Sequence, residues 1–129
     1  MRLKNIILIF SIFTFFISCK KEEGFGGLAT ISGKVYAYDY NNAGVLMAEG
    51  YAGDLDVFIK GKDSSEELER IRTSYDGSFV FNEKRKGDYE VWVYSDCERC
   101  PNGIEAVIQS VKLSDKKSKI ELSVFEVNI

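Results

Sequence analysis

The sequence of 129 residues contains no histidine, and this absence removes several classes of function. Histidine is the commonest general base in enzymes and the commonest metal ligand in proteins. Without it, one chain cannot form the Ser–His or Cys–His pairs that activate a nucleophile. We therefore expect a protein that is not an enzyme and that needs neither a cofactor nor a metal.

Proline is also nearly absent, since the chain has one proline but 11 glycines. Beyond Cys19, no segment of useful length repeats its apolar residues at helical spacing. β-Branched and aromatic residues are abundant, and glycine, aspartate and asparagine occupy the segments between them. This composition favours β-strands that are joined by turns.

The chain has a single long apolar run, at residues 6–17, which only Ser11 and Thr14 interrupt. Arg2 and Lys4 precede the run and give the chain a positive start. A run of about 12 residues fits the core of a signal peptide, whereas a membrane-spanning helix needs about 20. The pattern therefore predicts an export signal.

The end of this run resembles the lipobox of bacterial lipoproteins, since it reads Phe16-Ile17-Ser18-Cys19. Ser18 fits the small residue before the cysteine, and Phe16 replaces the usual leucine. The resemblance implies that residues 1–18 are a signal peptide that is cut off before Cys19, and that Cys19 is lipidated. Two or three acyl chains such as palmitate then anchor the protein stably in a membrane.

Residues 20–23, which read Lys-Lys-Glu-Glu, resemble the tag that sends some lipoproteins to the outer face of the outer membrane. The resemblance implies a lipid-anchored protein of the outer membrane that is exposed at the cell surface. The alternatives are a location facing the periplasm and a plain polar tether. Residues 19–28 contain three glycines and would serve as a flexible tether in either case.

Removal of the signal leaves 111 residues, which is enough for one domain with a single core. Arg2 and Lys4 are lost, so 15 basic residues remain against 20 acidic ones, a net charge of −5. A mildly acidic domain without a basic stripe argues against nucleic acid as a partner. We place the domain at residues 29–129.

About seven short apolar alternations follow one another along residues 29–129, with turn residues between them. Asp76-Gly77 is a strong turn signal. Residues 39–53 are predicted as a long loop with a short strand near 45–47, and residues 66–73 as a short strand or one helical turn. The apolar alternation changes parity between Val124 and Phe125, which predicts a β-bulge. The expected fold is an all-β, seven-stranded sandwich of the Greek-key type.

Four segments resemble the carboxypeptidase-regulatory-like, transthyretin-like sandwich family. They are Ile31-Ser32-Gly33-Lys34-Val35-Tyr36, Val57-Phe58-Ile59-Lys60-Gly61, the stretch 73–81 that ends in Gly77-Ser78-Phe79-Val80-Phe81, and the stretch 86–93 with Gly87-Asp88-Tyr89-Glu90-Val91. The resemblance implies a sandwich over roughly residues 29–127. It implies little about activity, because such modules are mostly accessory parts of larger proteins.

Cys97-Glu98-Arg99-Cys100 is the sharpest local motif, because a CxxC pair can be a disulfide, a redox motif or half of a zinc site. Redox catalysis favours a thiol at a helix N-terminus, and Pro101-Asn102-Gly103 argues against a helix there. Zinc requires four ligands, which the chain does not supply near this pair. We expect a structural disulfide between Cys97 and Cys100, with free thiols and a thiol redox role as alternatives.

Several aromatic residues alternate with the predicted core residues and should face outward. If their strands share one sheet, they form a patch that contacts a glycan or another envelope protein. Aromatic residues are common on strands in general, so a purely structural assembly subunit is the alternative. The candidate binding residues are Tyr36, Tyr38, Phe58, Trp92 and Tyr94.

Overall fold

The computed structural model of the protein describes residues 22–129, so the predicted signal peptide and Cys19 lie outside the described residues. Within this range, nine strands form two sheets that pack as a sandwich. The all-β sandwich is confirmed, with nine strands rather than seven. No helix among these residues is long and apolar enough to cross a bilayer. The strands are β1 Phe25–Tyr40, β2 Leu46–Tyr51, β3 Asp56–Gly61, β4 Glu69–Arg72, β5 Ser78–Lys84, β6 Gly87–Asp96, β7 Ile104–Leu113, β8 Lys119–Glu121 and β9 Phe125–Asn128.

The central strand of the five-stranded sheet is β1, which pairs with four others. Its first half pairs with β5 and β8, and its second half pairs with β2 and β9. The predicted alternation is confirmed here, since Ile31, Val35 and Ala37 are buried. Gly33 takes the remaining inward position, where a Cβ would lie 2.6 Å from the ring of Phe79. The glycine therefore leaves space between the sheets for that ring.

The second sheet has the order β4-β3-β6-β7, and all its pairs are antiparallel. Its inward side chains include Val57, Ile59, Val91 and Val93, which are almost fully buried against the first sheet. The segment 66–73, for which the sequence left a strand or a helical turn open, contains strand β4. The four strands therefore present one apolar face to the core and one face to solvent.

The change of parity predicted before Phe125 is present at the C-terminal end of the chain. Ile120 pairs with Ile31 and Phe125 pairs with Val35. The C-terminal segment therefore advances five residues between these two pairs, whereas β1 advances four. The extra residue interrupts the strand between β8 and β9 instead of forming a bulge inside one strand. Phe125 is fully buried as a result.

Two boundaries differ from the predictions made from the sequence. The predicted loop at 39–53 is largely a hairpin, because β1 continues to Tyr40 and pairs with β2 up to Tyr51. The first strand begins at Phe25, so residues 25–28, predicted as part of a tether, belong to the sandwich. Phe25 pairs with Lys84 of β5, and regular pairing resumes near Ala29 after an irregular stretch, so the start of β1 has backbone hydrogen bonds that a free tether would lack.

The chain before β1 is fixed to the sandwich by Tyr89, which is fully buried. The Gly24 N–H donates a hydrogen bond to the Tyr89 hydroxyl at 2.9 Å, and this hydroxyl donates to the Arg85 carbonyl at 2.7 Å. Burial raises the pKa of Tyr89, so the hydroxyl stays protonated. The Asp88 N–H donates to the Glu23 carboxylate at 3.4 Å. The chain is therefore held at the end of the sandwich where β5 turns into β6.

Candidate functional site

The five aromatic residues predicted to form one patch lie on two different sheets. Tyr36 and Tyr38 belong to β1, in the five-stranded sheet, whereas Phe58, Trp92 and Tyr94 belong to β3 and β6, in the four-stranded sheet. Since the inward neighbours of both groups fill the core, the two groups face outward on opposite sides of the sandwich. The expectation of a single aromatic patch is therefore wrong, and the molecule has two separate clusters.

The first cluster, Phe58, Trp92 and Tyr94, lies on the outer face of the four-stranded sheet. Phe58 and Trp92 are opposite each other on β3 and β6, and their rings stack with centroids 5.3 Å apart and planes 12° apart. Tyr94 meets the Phe58 ring edge to face at 5.4 Å, and the Arg70 guanidinium lies 5.5 Å from that ring. Because Phe58 is only 9% exposed, it supports Trp92 but offers little contact surface itself.

A groove with a volume of about 320 Å³ adjoins Trp92. Trp92 and Tyr94 line it together with Ile108, which lies opposite Trp92 on β7 and is 55% exposed. Lys60 and Glu90 also line the groove and form an ion pair of 3.2 Å. The groove therefore combines apolar surface with groups that donate and accept hydrogen bonds. We call it the Trp92 groove; its lining residues are Lys60, Ser65, Glu67, Glu90, Trp92, Tyr94, Ala106 and Ile108.

Next to the Phe58 ring, arginine and aspartate side chains form a network across β3 and β4. Asp56 accepts a hydrogen bond from Arg70 and lies 3.3 Å from Nε of Arg72, which also donates to Asp54 at 2.8 Å. The hydrogen bond from Arg70 and the positive charges of both arginines hold the pKa of Asp56 below its usual value. Asp56 is therefore ionised near neutral pH and is unsuited to act as a general acid.

The second cluster, Tyr36, Tyr38 and Tyr51, lies on the outer face of the five-stranded sheet. The ring centroid of Tyr36 is 5.3 Å from those of Tyr38 and Tyr51. The Tyr38 hydroxyl donates to Glu126 at 3.3 Å. Burial is the main cause that raises the pKa of Tyr36, and the carboxylate of Glu49 adds to it. Burial also raises the pKa of Tyr38, where the nearby carboxylate is that of Glu126. Both hydroxyls therefore remain protonated donors.

Cys97 and Cys100 are joined by a disulfide in the turn between β6 and β7. The following residues, Pro101–Gly103, form a single 3₁₀ turn, so the pair does not sit at the start of an α-helix. Glu105 places a carboxylate oxygen 3.9 Å from Sγ of Cys100, and together with the two sulfur atoms it makes up a group of three potential metal ligands. With both sulfur atoms in the disulfide, no thiolate is available in this group to bind a metal or attack a substrate.

Sequence reasoning missed Ile108 and the Lys60–Glu90 pair of the Trp92 groove, as well as Tyr51 of the second cluster. Ile108 lies between the predicted core positions Val107 and Val111. Since the inward residues of this strand have odd numbers, the even number of Ile108 already indicated an outward side chain. Tyr51 fell in a segment predicted as a loop. Lys60 and Glu90 were assigned to strands, but their contact depends on the register between β3 and β6.

Comparison with known proteins gives similarity to solved structures only. No protein-family model matches the chain, and no curated protein matches it. Among solved structures, the crystal structure of a "putative carbohydrate binding protein" from Pseudomonas aeruginosa superposes with a TM-score of 0.47 and 14% sequence identity. The alignment covers 75% of this chain and 88% of that one. A similarity of this extent carries no inference about the function of this chain.

Proposed function

We propose that this protein is a non-catalytic binding module that holds a glycan in the Trp92 groove. A sugar ring presents C–H groups on its faces and hydroxyl groups around its edge, so it needs an apolar wall beside polar groups. Trp92 and Ile108 offer the apolar wall, and the Lys60–Glu90 ion pair offers donors and an acceptor. This juxtaposition in one groove is the observation that carries the proposal.

The groove has the volume of a small-ligand pocket. Its volume of about 320 Å³ lies at the lower end of the range of about 300–1,000 Å³ for such pockets. Glu90, which forms an ion pair with Lys60 at 3.2 Å, offers carboxylate oxygens that accept hydrogen bonds from a ligand.

The proposed location is the outer membrane, where a lipid on Cys19 anchors the protein, with the domain exposed at the cell surface. The export signal at residues 1–18 and the polar tag at residues 20–23 support this proposal. The disulfide between Cys97 and Cys100 is consistent with it, since disulfides persist in oxidising compartments outside the cytoplasm. A glycan-binding module at this location would meet saccharides of the envelope or of the surroundings.

The glycan proposal predicts that the emission of Trp92, the only tryptophan, responds to one class of sugar. In a soluble form that begins after Cys19, titration with a panel of oligosaccharides should move the emission to the blue for the sugar that binds. The Trp92→Ala variant should weaken binding at least about tenfold, which corresponds to about 1.4 kcal/mol, because the ring that contacts the sugar is lost. Calorimetry on both proteins measures this ratio.

The matched control is Tyr75→Ala, since Tyr75 is 95% exposed in the turn between β4 and β5 and lies outside the groove. This variant should bind the sugar as the unchanged protein does. If the emission wavelength of Trp92 does not change with any saccharide, the glycan proposal is contradicted. That result would favour the alternative of an assembly subunit or of an envelope protein as the partner.

The anchor proposal predicts that the full chain incorporates labelled palmitate and that the Cys19→Ala variant does not. The label should require Cys19 because its thiol is the proposed site of attachment of the acyl chains. The control is the Cys97→Ser/Cys100→Ser variant, which removes the other two cysteines and should keep the label. Label that persists in Cys19→Ala would exclude Cys19 as the site of lipidation.

A further inference from the structure

We infer that the anchored protein docks on an anionic membrane surface through a basic patch beside its N-terminus, so that the Trp92 groove faces away from the bilayer. This inference rests on the proposed lipid anchor at Cys19. The patch lies at the end of the sandwich where Tyr89 fixes Gly24. We call it the anchor-end patch; its residues are Leu28, Arg85, Lys86 and Lys116, and they surround a cavity of about 270 Å³ together with Gly26 and Gly27.

The chain between the anchor and the sandwich is too short to let the domain move far from the membrane. Cys19 is five residues before Gly24, so the two Cα atoms lie at most about 17 Å apart even in an extended chain. Strand β6 starts near Gly24 and is ten residues long, which corresponds to a length of about 33 Å. The end of the sandwich with Gly24 therefore stays near the bilayer, and the end with the Cys97–Cys100 disulfide lies remote from it.

The anchor-end patch has the chemistry of a surface that contacts lipid headgroups. Arg85 and Lys86 come from the turn between β5 and β6, and Lys116 comes from the turn between β7 and β8. Among residues 22–129, no acidic side chain lines this cavity. Leu28 is 65% exposed among these cations, and an apolar side chain among cations suits the boundary between headgroups and acyl chains. Anionic headgroups attract such clusters near a membrane surface.

The opposite charge lies in a separate groove at the same end of the sandwich. This groove has a volume of about 480 Å³, and Glu67 is one of the five carboxylates that line it. Glu67 also lines the Trp92 groove, so the acidic groove and the Trp92 groove adjoin. Glu22 and Glu23 precede Gly24 and stay near the bilayer, so the orientation depends on Asp63, Glu66 and Glu67. An anionic membrane attracts the anchor-end patch and repels these three carboxylates, which turns the Trp92 groove outward. The acidic groove contains Glu22, Glu23, Asp63, Glu66 and Glu67.

Lysine acetylation of the full-length lipidated protein in vesicles tests this orientation. The vesicles contain either phosphatidylcholine alone or phosphatidylcholine with one third phosphatidylglycerol, and mass spectrometry gives the rate for each lysine. In anionic vesicles at low salt, acetylation of Lys86 and Lys116 should slow at least about threefold relative to neutral vesicles. Lys34, which pairs with Ser78 at the opposite end of β5, should react equally in both. High salt should abolish the difference.

The Arg85→Glu variant should lose the protection of Lys86 and Lys116, because it places a negative charge in the patch. The matched control is Arg99→Glu at the remote end, which should keep the protection. Equal rates in both kinds of vesicle, or equal protection of Lys34, would overturn the docking. Protection that instead grows with protein density in neutral vesicles would assign the patch to a second copy of this chain and also overturn it.

The same experiment separates the docking from the anchor on which it rests. Flotation of the vesicles reports whether the protein is attached to them at all. Protein that fails to float with either lipid composition overturns the anchor, and the docking with it. Protein that floats with both compositions but shows no selective protection leaves the anchor standing and overturns the docking alone.

Discussion

The Glu69→Gln variant should lower the free energy of unfolding by about 3 kcal/mol, because it leaves a buried ammonium group without its counter-charge. The Lys84 side chain is fully buried, and its Nζ lies 2.6 Å from Glu69 Oε2. Nζ also donates to the Asn82 carbonyl at 2.8 Å and lies 4.3 Å from the centre of the Phe25 ring. Urea denaturation of the soluble form measures the change.

The comparison that isolates this effect is Lys84→Met, which removes the buried charge and keeps an apolar chain of similar length. Glu69 is 29% exposed in its side chain, so water can solvate its carboxylate after the lysine is lost. Lys84→Met should therefore stay within about 1 kcal/mol of the unchanged protein. The free energy of unfolding of the double variant should be close to that of Lys84→Met, and its loss should be smaller than the sum of the losses of the two single variants. A loss in Lys84→Met as large as in Glu69→Gln would contradict this account.

The Gly77→Ala variant should also lower the free energy of unfolding by about 3 kcal/mol, since two unfavourable effects act together. Gly77 has a φ angle of +78°, which favours glycine, and a Cβ would lie 2.6 Å from the backbone oxygen of Val35. That close approach lets the Val35 N–H donate to the Gly77 carbonyl at 2.9 Å. The turn before β5 is thereby tied to β1, and thermal or urea unfolding reports the loss of that tie.

The control for Gly77→Ala is Gly44→Ala in the turn between β1 and β2. Gly44 has nearly the same φ angle, +75°, but no atom of the part of the chain that the structure describes lies within 4 Å of the position of its Cβ. Gly44→Ala should therefore lower the free energy of unfolding only by the cost of placing an alanine in the left-handed backbone conformation, about 1 to 2 kcal/mol. If both variants lose the same stability, the contact with Val35 contributes nothing and the close packing of the turn is not what requires glycine.

The strands and turns of this protein are largely readable from local pattern. Val91 and Val93 alternate with outward residues because successive side chains of a strand point to opposite faces, and this holds for any sheet partner. The Asp76-Gly77 turn and the parity change before Phe125 are local signals of the same kind. At residues 39–53 the pattern was weak: the short strand predicted near 45–47 overlaps β2, but the full hairpin was missed because β2 has no buried face and therefore no apolar alternation.

The candidate site was less readable, because it depends on which strands become neighbours. Tyr36 and Trp92 both alternate with core residues in the sequence, which predicts an outward side chain for each, yet they lie on opposite faces of the sandwich. The Lys60–Glu90 pair needs the register of β3 on β6, and the ion pair of Lys84 with Glu69 joins β5 to β4. A lysine in a polar stretch gives no sign that it will be buried, since its burial depends on a partner from another strand.

By itself, the sequence determined the all-β class, the inward residues of most strands and the main turns, because each follows from side-chain alternation and local backbone preference. Only the tertiary structure decided how the strands divide between two sheets. That division separated the aromatic residues into two clusters and joined Trp92 to Ile108, Lys60 and Glu90 in one groove. The physical reason is that sheet order and register arise from packing between residues far apart in the chain, which local pattern does not specify.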